Sequence, residues 1–417
     1  MRLRAFVLVF VGLLVAPVAA HAALAPRLTE SPAKLAEALH CERVAGAARS
    51  TVLFVPGTNE TPAQYDWNWL RVAEAQKWPI CTITLPGNAL DDIQIAGQYV
   101  VYAIRRAFAE SGRRIQIVGH SQGGMVPRWA LRWWPDTRRM VDDLVGLASS
   151  NHGTIVARGS CNESSPCPAA DWQQRDDSKF LAALNAGPET FTGIDYTVAF
   201  TRADEIVQPN QDAETGSSAL RTGKGKISNV RVQDVCPNDN PDHLAIGSYD
   251  PVAFAVGLDA LEHVGPADAA RVGTAPCSMA FMPGVDPATF PSDYAAFAGD
   301  IGAAQQAAPT VAAEPALACY ATRSCAGSAL ARVGLRMTAR RVGRGRLRLT
   351  LRGSVVGGDG AAAPAAGGVV RVAGRTLTLG PKGVARMTVA GSRAGVGEAA
   401  LVVPAAGYAW VRLRRAR

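Results

Sequence analysis

The sequence IQIVGHSQGG at residues 115–124 places Ser121 in a glycine-rich turn directly after a short apolar run. The run is rich in β-branched residues, which indicates a buried strand, and residues 124–134 have the apolar spacing of a helix. A serine at such a strand-to-helix turn is held in a strained conformation that exposes its hydroxyl, and the glycines let strand and helix approach closely. The motif therefore predicts that Ser121 is a nucleophile.

Outward from this motif, short apolar runs alternate with helical patterns. Such alternation predicts an α/β fold with a mostly parallel sheet covered by helices on both faces. Reactive residues then gather on loops at the carboxyl ends of the strands. The predicted strands are residues 51–55, 80–85, 115–118, 144–148, 196–200 and 230–233, and the predicted helices are residues 93–110, 124–134 and 251–263.

A nucleophilic serine needs an imidazole base. In folds of this type the base comes last in chain order, after the acid. His243 follows the predicted sixth strand on a loop rich in Pro and Asn, and it is the predicted base. His152 comes too soon after Ser121, and His263 lies at a predicted helix end, where a capping role explains it better.

The acid should follow a strand that precedes the base. Asp204 and Glu205 both stand just past the predicted fifth strand. Because either carboxylate is able to fix the tautomer of the imidazole, the residues alone leave both open.

An oxyanion hole completes this chemistry. The loop after the first predicted strand carries Thr58, and Gln122 directly follows the nucleophile. In folds of this class, the backbone N–H groups at these two places stabilise the tetrahedral oxyanion. An ordinary turn after a buried strand is the alternative explanation for the loop at Thr58.

Four stretches occur in the order found in the Candida antarctica lipase B type of α/β-hydrolase, and the chain resembles that family over residues 24–325. The stretches are LFVPGT at residues 53–58, SQGG at 121–124, DEIVQP at 204–209 and DH at 242–243. The resemblance implies Ser121 as nucleophile, Asp204 as acid and His243 as base, with Thr58 and Gln122 as the oxyanion hole. It also implies disulfides at Cys41–Cys81 and Cys236–Cys277. One departure is His120, which replaces a tryptophan that lines the alcohol-side pocket in that family.

Eight cysteines in an exported chain indicate disulfides, and sequential pairing is the simplest assignment. A zinc site is the rival explanation of the cysteines, but the chain has no close CxxC pair and no accompanying histidine cluster. The predicted serine mechanism requires no metal or organic cofactor. The sequential pairs are Cys41–Cys81, Cys161–Cys167, Cys236–Cys277 and Cys319–Cys325.

The predicted domains differ in amino-acid composition and net charge. Residues 1–22 have the basic start, apolar run and small-residue end of a signal peptide, which predicts a secreted protein without a later transmembrane segment. Residues 23–325 form the predicted catalytic domain, with a cap-like insertion at residues 152–195. Residues 298–318 are rich in Ala and Pro, which indicates a linker. Residues 326–417 are predicted to form a small antiparallel β domain. The residues from Leu330 onwards carry a net charge of +15, whereas the whole chain carries +8.

These features predict a secreted serine hydrolase of carboxylic esters, with triacylglycerol lipase as the favoured activity and lipid or another ester as substrate. A short-chain carboxylesterase, a polyester hydrolase or an acyltransferase are the alternatives, and a non-catalytic surface-binding protein is a third class. The basic domain is expected to bind an anionic cell envelope or lipid surface. Nucleic acid is not expected, because Tyr408 and Trp410 are the only aromatic residues after Tyr320.

Overall fold

The computed structural model describes residues 18–21, 24–162, 164–343, 345–390 and 398–412. The chain divides into two units, Ala25–Leu330 and a second unit that joins Met1–Leu24 to Ala331–Arg417. Most of the predicted signal peptide lies outside the described residues, although Val18–His21 forms a strand. The predicted domain limits at residues 22 and 325 stay predictions.

The strands are numbered in chain order. They are β1 (Val18–His21), β2 (Ala25–Pro26), β3 (Leu39–Glu42), β4 (Val52–Val55), β5 (Ile80–Ile83), β6 (Ile115–His120), β7 (Val141–Leu147), β8 (Asp195–Phe200), β9 (Lys226–Arg231), β10 (Leu330–Gly343), β11 (Arg346–Gly357), β12 (Ala362–Pro364), β13 (Val369–Val372), β14 (Arg375–Thr378), β15 (Val384–Ala390), β16 (Glu398–Val403) and β17 (Gly407–Arg412).

The helices are numbered in the same way. They are α1 (Pro32–Glu37), α2 (Trp69–Ala75), α3 (Ile93–Ser111), α4 (Gln122–Trp133), α5 (Ile155–Ser160), α6 (Ala169–Gln173), α7 (Lys179–Asn185), α8 (Val232–Val235), α9 (His243–Ser248), α10 (Pro251–Glu262), α11 (Ala269–Val272), α12 (Phe290–Ala307) and α13 (Cys319–Thr322), with 3₁₀ turns at Pro62–Tyr65, Pro86–Ala89, Pro135–Arg139, Ala275–Ser278 and Gly327–Ala329.

The first unit is built on a sheet with the order β3-β5-β4-β6-β7-β8-β9. All neighbouring strands are parallel except the edge pair β3–β5. Every residue of β4, β5 and β6 is buried, as a sheet covered on both faces requires. Helices α3 and α4 pack on the sheet, and the side chains of α10 join those of β4 and β7 in a large apolar cluster. The predicted α/β-hydrolase fold is confirmed.

Two sequence-based assignments were wrong in detail. The predicted sixth strand at residues 230–233 straddles the end of β9 and the start of α8, because the exposed, polar start of β9 hides its strand pattern. The first part of the predicted linker at residues 298–318, up to Ala307, belongs to α12, whose Phe297 packs into the apolar cluster. Residues 152–195 contain the three short helices α5, α6 and α7.

All four sequential disulfides are present in the structure. Cys41–Cys81 joins the neighbouring strands β3 and β5. Cys236–Cys277 joins the end of α8 to the 3₁₀ turn after α11, and therefore fixes one end of the loop that leads to His243. The remaining pairs, Cys161–Cys167 and Cys319–Cys325, each close a loop with a sequence separation of 6.

The second unit is antiparallel, as predicted. Strand β10 pairs with β1 and β11, and β11 also pairs with β12 and β15. The other sheet has the order β14-β13-β16-β17. The two sheets share one apolar core, to which β10, β11 and β16 contribute leucines such as Leu335, Leu349 and Leu401.

Among the described residues, one helical stretch, His243–Glu262, is long and apolar enough to cross a membrane by length and composition. Its most apolar window is 78% buried inside the protein, which is also how the core helix of a globular domain appears.

Candidate active site

The nucleophile motif forms a sharp turn between β6 and α4. Ser121 has a φ of +52°, a left-handed conformation that is uncommon outside glycine. A Cβ atom at Gly119 would overlap the backbone of Gly123, and one at Gly123 would overlap the carbonyl oxygen of Val55. Both glycines are therefore required for strand β4, strand β6 and helix α4 to meet at this turn.

Gln122 is the first residue of α4, so its backbone N–H has no acceptor within the helix. The positive end of the helix dipole lies at the same place. Both features suit Gln122 to stabilise a negative oxygen next to Ser121.

The Thr58 hydroxyl is oriented by two amide groups. Its Oγ1 atom lies 3.0 Å from Gln122 Nε2 and 2.8 Å from Gln174 Nε2, and both of these groups donate. Gln174 is held in turn by the Ser150 hydroxyl, which donates to its Oε1 at 2.8 Å. Because the Thr58 oxygen accepts two hydrogen bonds, its own proton is directed to a third acceptor.

The acid and base candidates meet directly. His243 Nδ1 lies 3.0 Å from Asp204 Oδ2, and both side chains are buried. The other carboxylate oxygen, Asp204 Oδ1, accepts the backbone N–H groups of Ile206 at 3.0 Å and Val207 at 2.7 Å. Asp204 is therefore fixed by its own loop while it orients the imidazole of His243.

Glu205, the alternative acid, has a different contact. Its Oε2 atom accepts the backbone N–H of His243 at 3.0 Å, and its side chain does not serve the ring. The structure thus distinguishes two adjacent carboxylates that the residues alone left open.

The other histidines weighed as bases lie elsewhere in the hydrolase unit. His152 Nε2 is 2.6 Å from Glu189 Oε1. Burial alone raises the pKa of Glu189, but the hydrogen bond with His152, the charge of Arg128 and two backbone N–H groups lower it to about 2. His263 is half-exposed at the end of α10 and pairs with Asp259.

His120 is fully buried and links the predicted site residues. Its Nδ1 atom lies 2.7 Å from Glu60 Oε1, and its Nε2 atom lies 3.0 Å from the carbonyl oxygen of His243. The rings of His120 and His243 are 4.8 Å apart between centroids. The loop that carries the base therefore rests against the residue that precedes Ser121.

Sequence reasoning missed two of these residues, Glu60 and Gln174. They contact His120 and Thr58 across 60 and 116 residues, respectively. Neither lies in a motif, so no local signal was available to identify them.

The described residues contain one cluster that resembles a metal site, formed by Cys161, Cys167 and Asp171. Its two cysteines are joined in a disulfide, which removes their thiolates as ligands.

Comparison with known proteins shows the family to which the chain belongs. The family described as lipase (class 2) matches residues 101–237, a range that includes Ser121 and Asp204. The chain is 34% identical over 264 residues to lipase B of Pseudozyma antarctica, covering 61% of this chain and 74% of that protein. The chain belongs to the lipase B family. It is therefore a carboxylic ester hydrolase.

The crystal structure of Aspergillus fumigatus lipase B is similar to this lipase B family member with a TM-score of 0.64 and 28% identity. The match covers 71% of this chain and 73% of that one.

Proposed function

We propose that this lipase B family member hydrolyses esters through Ser121, His243 and Asp204. The observation that carries the proposal is the 3.0 Å contact between His243 Nδ1 and Asp204 Oδ2. Ser121 is held at a φ of +52°, and its neighbour His120 contacts the carbonyl oxygen of His243 at 3.0 Å. His243 Nε2 takes the proton of Ser121 as the serine oxygen attacks the ester carbonyl carbon, which forms a tetrahedral oxyanion.

Thr58 and Gln122 stabilise that oxyanion through backbone N–H groups and the Thr58 hydroxyl, each donor being worth roughly 3 kcal/mol. His243 then gives its proton to the leaving alcohol as the acyl-enzyme forms. Water attacks the acyl-enzyme in the same way and releases the acid, so the cycle requires no metal or organic cofactor.

The proposed substrate is a triacylglycerol or another lipid ester. Support comes from three exposed apolar side chains, Ile155 and Val156 on α5 and Ile206 on the loop of Asp204. They belong to neighbouring segments, because the Thr154 hydroxyl donates to the carbonyl of Ile206 and the N–H of Ile155 donates to that of Gln208. An exposed apolar group beside the acid suits contact with acyl chains at a lipid surface.

A chain-length series tests this substrate class. We expect kcat/KM on nitrophenyl esters to rise from acetyl to octanoyl and longer acyl groups, and we expect emulsified triglyceride to be hydrolysed. Inactive Ser121→Ala protein is the control for background hydrolysis.

Other outcomes would identify the alternative activities. A maximum of kcat/KM at acetyl or butyryl esters with no triglyceride hydrolysis would identify a short-chain carboxylesterase. Faster turnover with added alcohol than with water would identify an acyltransferase. Hydrolysis of a polyester film would identify the remaining alternative, a polyester hydrolase.

Export from the cell is part of the proposal. The N-terminal residues have the composition of a signal peptide, and four disulfides fit an oxidising compartment.

We further propose that the second unit attaches to an anionic lipid surface through an arginine face on one side of its sheet. All members of the arginine face are exposed, and the alternate residues of β10 and β11, such as Leu335 and Leu349, are buried in the core. The arginine face consists of Arg332, Arg336 and Arg340 on β10, Arg346, Arg348 and Arg352 on β11, and Arg386 on β15.

The strand register places like charges opposite each other on this face. Arg336 is directly across from Arg352, and Arg340 is directly across from Arg348. Strands β10, β11 and β15 contain no acidic residue that would offset this charge. Because like charges across an antiparallel pair destabilise a sheet, the arrangement is best explained by a polyanionic surface that binds the face.

Removal of four arginines tests the arginine face. Because each arginine near an anionic membrane is worth about 1 kcal/mol, replacing Arg336, Arg340, Arg348 and Arg352 with Gln should weaken binding to phosphatidylglycerol vesicles roughly several-hundred-fold. Binding by the unaltered protein should weaken as salt is added, and phosphatidylcholine vesicles should bind neither protein. Turnover of a soluble nitrophenyl ester should not change.

A matched control removes four exposed charges from the other unit, at Lys77, Arg113, Lys179 and Lys224. Equal loss of vesicle binding in both variants would contradict the proposal that the arginine face binds the lipid surface. Binding to duplex DNA but not to vesicles would show that the partner is of another class.

A further inference from the structure

The ring of His120 is held between two acceptors in the protein interior. Its side chain has no exposed surface, with Glu60 Oε1 at 2.7 Å from Nδ1 and the carbonyl oxygen of His243 at 3.0 Å from Nε2. The ring also fills the space over Gly247, where a Cβ atom would overlap it. Its position and orientation are therefore fixed by packing on α9 as well as by hydrogen bonds.

The hydrogen bonds determine where the protons lie. A carbonyl oxygen only accepts, so Nε2 of His120 must donate to His243. Glu60 faces Nδ1 with one carboxylate oxygen, and its other oxygen, Oε2, accepts the backbone N–H of Gly57 at 2.5 Å. Between a carboxylate at Nδ1 and a carbonyl at Nε2, an imidazolium donates from both nitrogens, whereas a neutral ring has one N–H for the two acceptors.

The surrounding charges favour the same state. Burial alone lowers the pKa of His120, but the charge and hydrogen bond of Glu60 outweigh it and raise the pKa above its ordinary value, with a smaller contribution from Asp204. Tyr65 also faces Glu60, and burial together with that carboxylate raises the pKa of Tyr65, so this phenol stays neutral. The groups that face the ring are thus two carboxylates, a neutral phenol and the imidazole of His243.

We propose that the Glu60–His120 ion pair positions the catalytic groups of this enzyme. The pair joins the loop that carries Thr58 to the loop that carries His243. Glu60 holds the N–H of Gly57, the residue before Thr58, and His120 holds the carbonyl of His243. His120 itself precedes Ser121, so one buried pair fixes all three segments. The inference rests on the proposed roles of Ser121, His243 and Thr58.

The pair also determines a pH dependence. His120 has its pKa raised in the folded protein, so its contribution is complete at acidic pH and is lost as pH rises through that raised pKa. Loss of one proton leaves a single N–H for the two acceptors. The charge of Glu60 favours that proton on Nδ1, so the carbonyl of His243 loses its donor and the base loop loses its connection to the turn at Ser121. We therefore expect an alkaline loss of kcat that depends on Glu60.

The test is Glu60→Gln, which keeps the shape of the side chain and removes its charge. We expect kcat to fall roughly 10- to 100-fold with little change in KM, because small displacements of reacting groups have effects of that size. The alkaline limb of the kcat profile should move to lower pH. An unchanged profile with an unchanged kcat would overturn the proposal.

The matched control is Glu189→Gln, which removes a buried carboxylate from a second His–Glu pair, formed with the partly exposed His152. We expect this variant to lose thermal stability and to keep the pH profile of the unaltered enzyme. If both variants shift the profile equally, the effect is a general loss of stability and the positioning role is wrong.

A direct measurement does not depend on variant folding or on activity. In ¹⁵N-labelled protein at neutral pH, the two ring nitrogens of His120 should have the nearly equal shifts of an imidazolium, whereas a neutral tautomer gives two well-separated shifts and contradicts the proposal. Ester hydrolysis that survives Ser121→Ala would refute the proposed catalytic roles while leaving this protonation result intact, so the two failures are distinguishable.

Discussion

Replacing Ser121 with alanine is expected to reduce kcat roughly 10⁴- to 10⁶-fold, the range seen when a triad nucleophile is removed. The oxyanion donors of Thr58 and Gln122 remain, but no oxygen is left to form the acyl-enzyme. The measurement is steady-state hydrolysis of a nitrophenyl ester. A reactive phosphonate ester should add its mass once to the unaltered enzyme and not at all to the variant.

The control is Ser149→Ala. Ser149 is buried next to Gly124 of α4, and its hydroxyl is among the described side-chain groups that lack a hydrogen-bond partner. Its removal should leave turnover within a few-fold of the unaltered enzyme. Phosphonate labelling at any residue other than Ser121 would assign the nucleophile elsewhere and would overturn the proposed mechanism.

Replacing Asp204 with asparagine is expected to reduce kcat by about 10⁴, mainly through the wrong tautomer of the base. The backbone N–H groups of Ile206 and Val207 hold the oxygen of the side chain, so the new amide NH₂ faces His243. The imidazole then carries its proton on Nε2 and is unable to accept the proton of Ser121. Measurement of kcat beside a thermal unfolding curve separates this effect from loss of the fold.

Glu205→Gln is the matched variant, because an amide oxygen is still able to accept the backbone N–H of His243. We expect its kcat to stay within a few-fold of the unaltered value. Equal losses at Asp204 and Glu205 would show that the loop as a whole, and not one carboxylate, supports the base.

The parts of the fold that the sequence predicted well are those whose residues are buried on every side. Strands β4 and β6 consist wholly of buried residues, so their composition alone marks them. Strand β9 begins with an exposed lysine and is only partly buried, and its predicted bounds were wrong. The end of α12, from residue 298, fell within the predicted linker because residues 298–318 are rich in Ala and Pro, and few residues of α12 reach the core.

The site divides in the same way. Ser121 and Asp204 follow the strands β6 and β8, and His243 follows β9 and the short helix α8, so their order along the fold made them predictable. Glu60 and Gln174 contact the site from a turn and from the end of a short helix. Only the tertiary fold brings Glu60 to His120 and Gln174 to Thr58. Neither contact could therefore be predicted from residue spacing along the chain.

The distribution of sulfur has a practical consequence. Every cysteine lies between residues 41 and 325, so all of the covalent crosslinks belong to Ala25–Leu330 and the arginine-rich unit has none. A reducing buffer should therefore weaken the hydrolase unit, whereas the arginine-rich unit has no disulfide to lose. If the arginine-rich unit binds lipid as proposed, cells without an oxidising folding pathway should accumulate molecules that bind lipid but hydrolyse esters poorly.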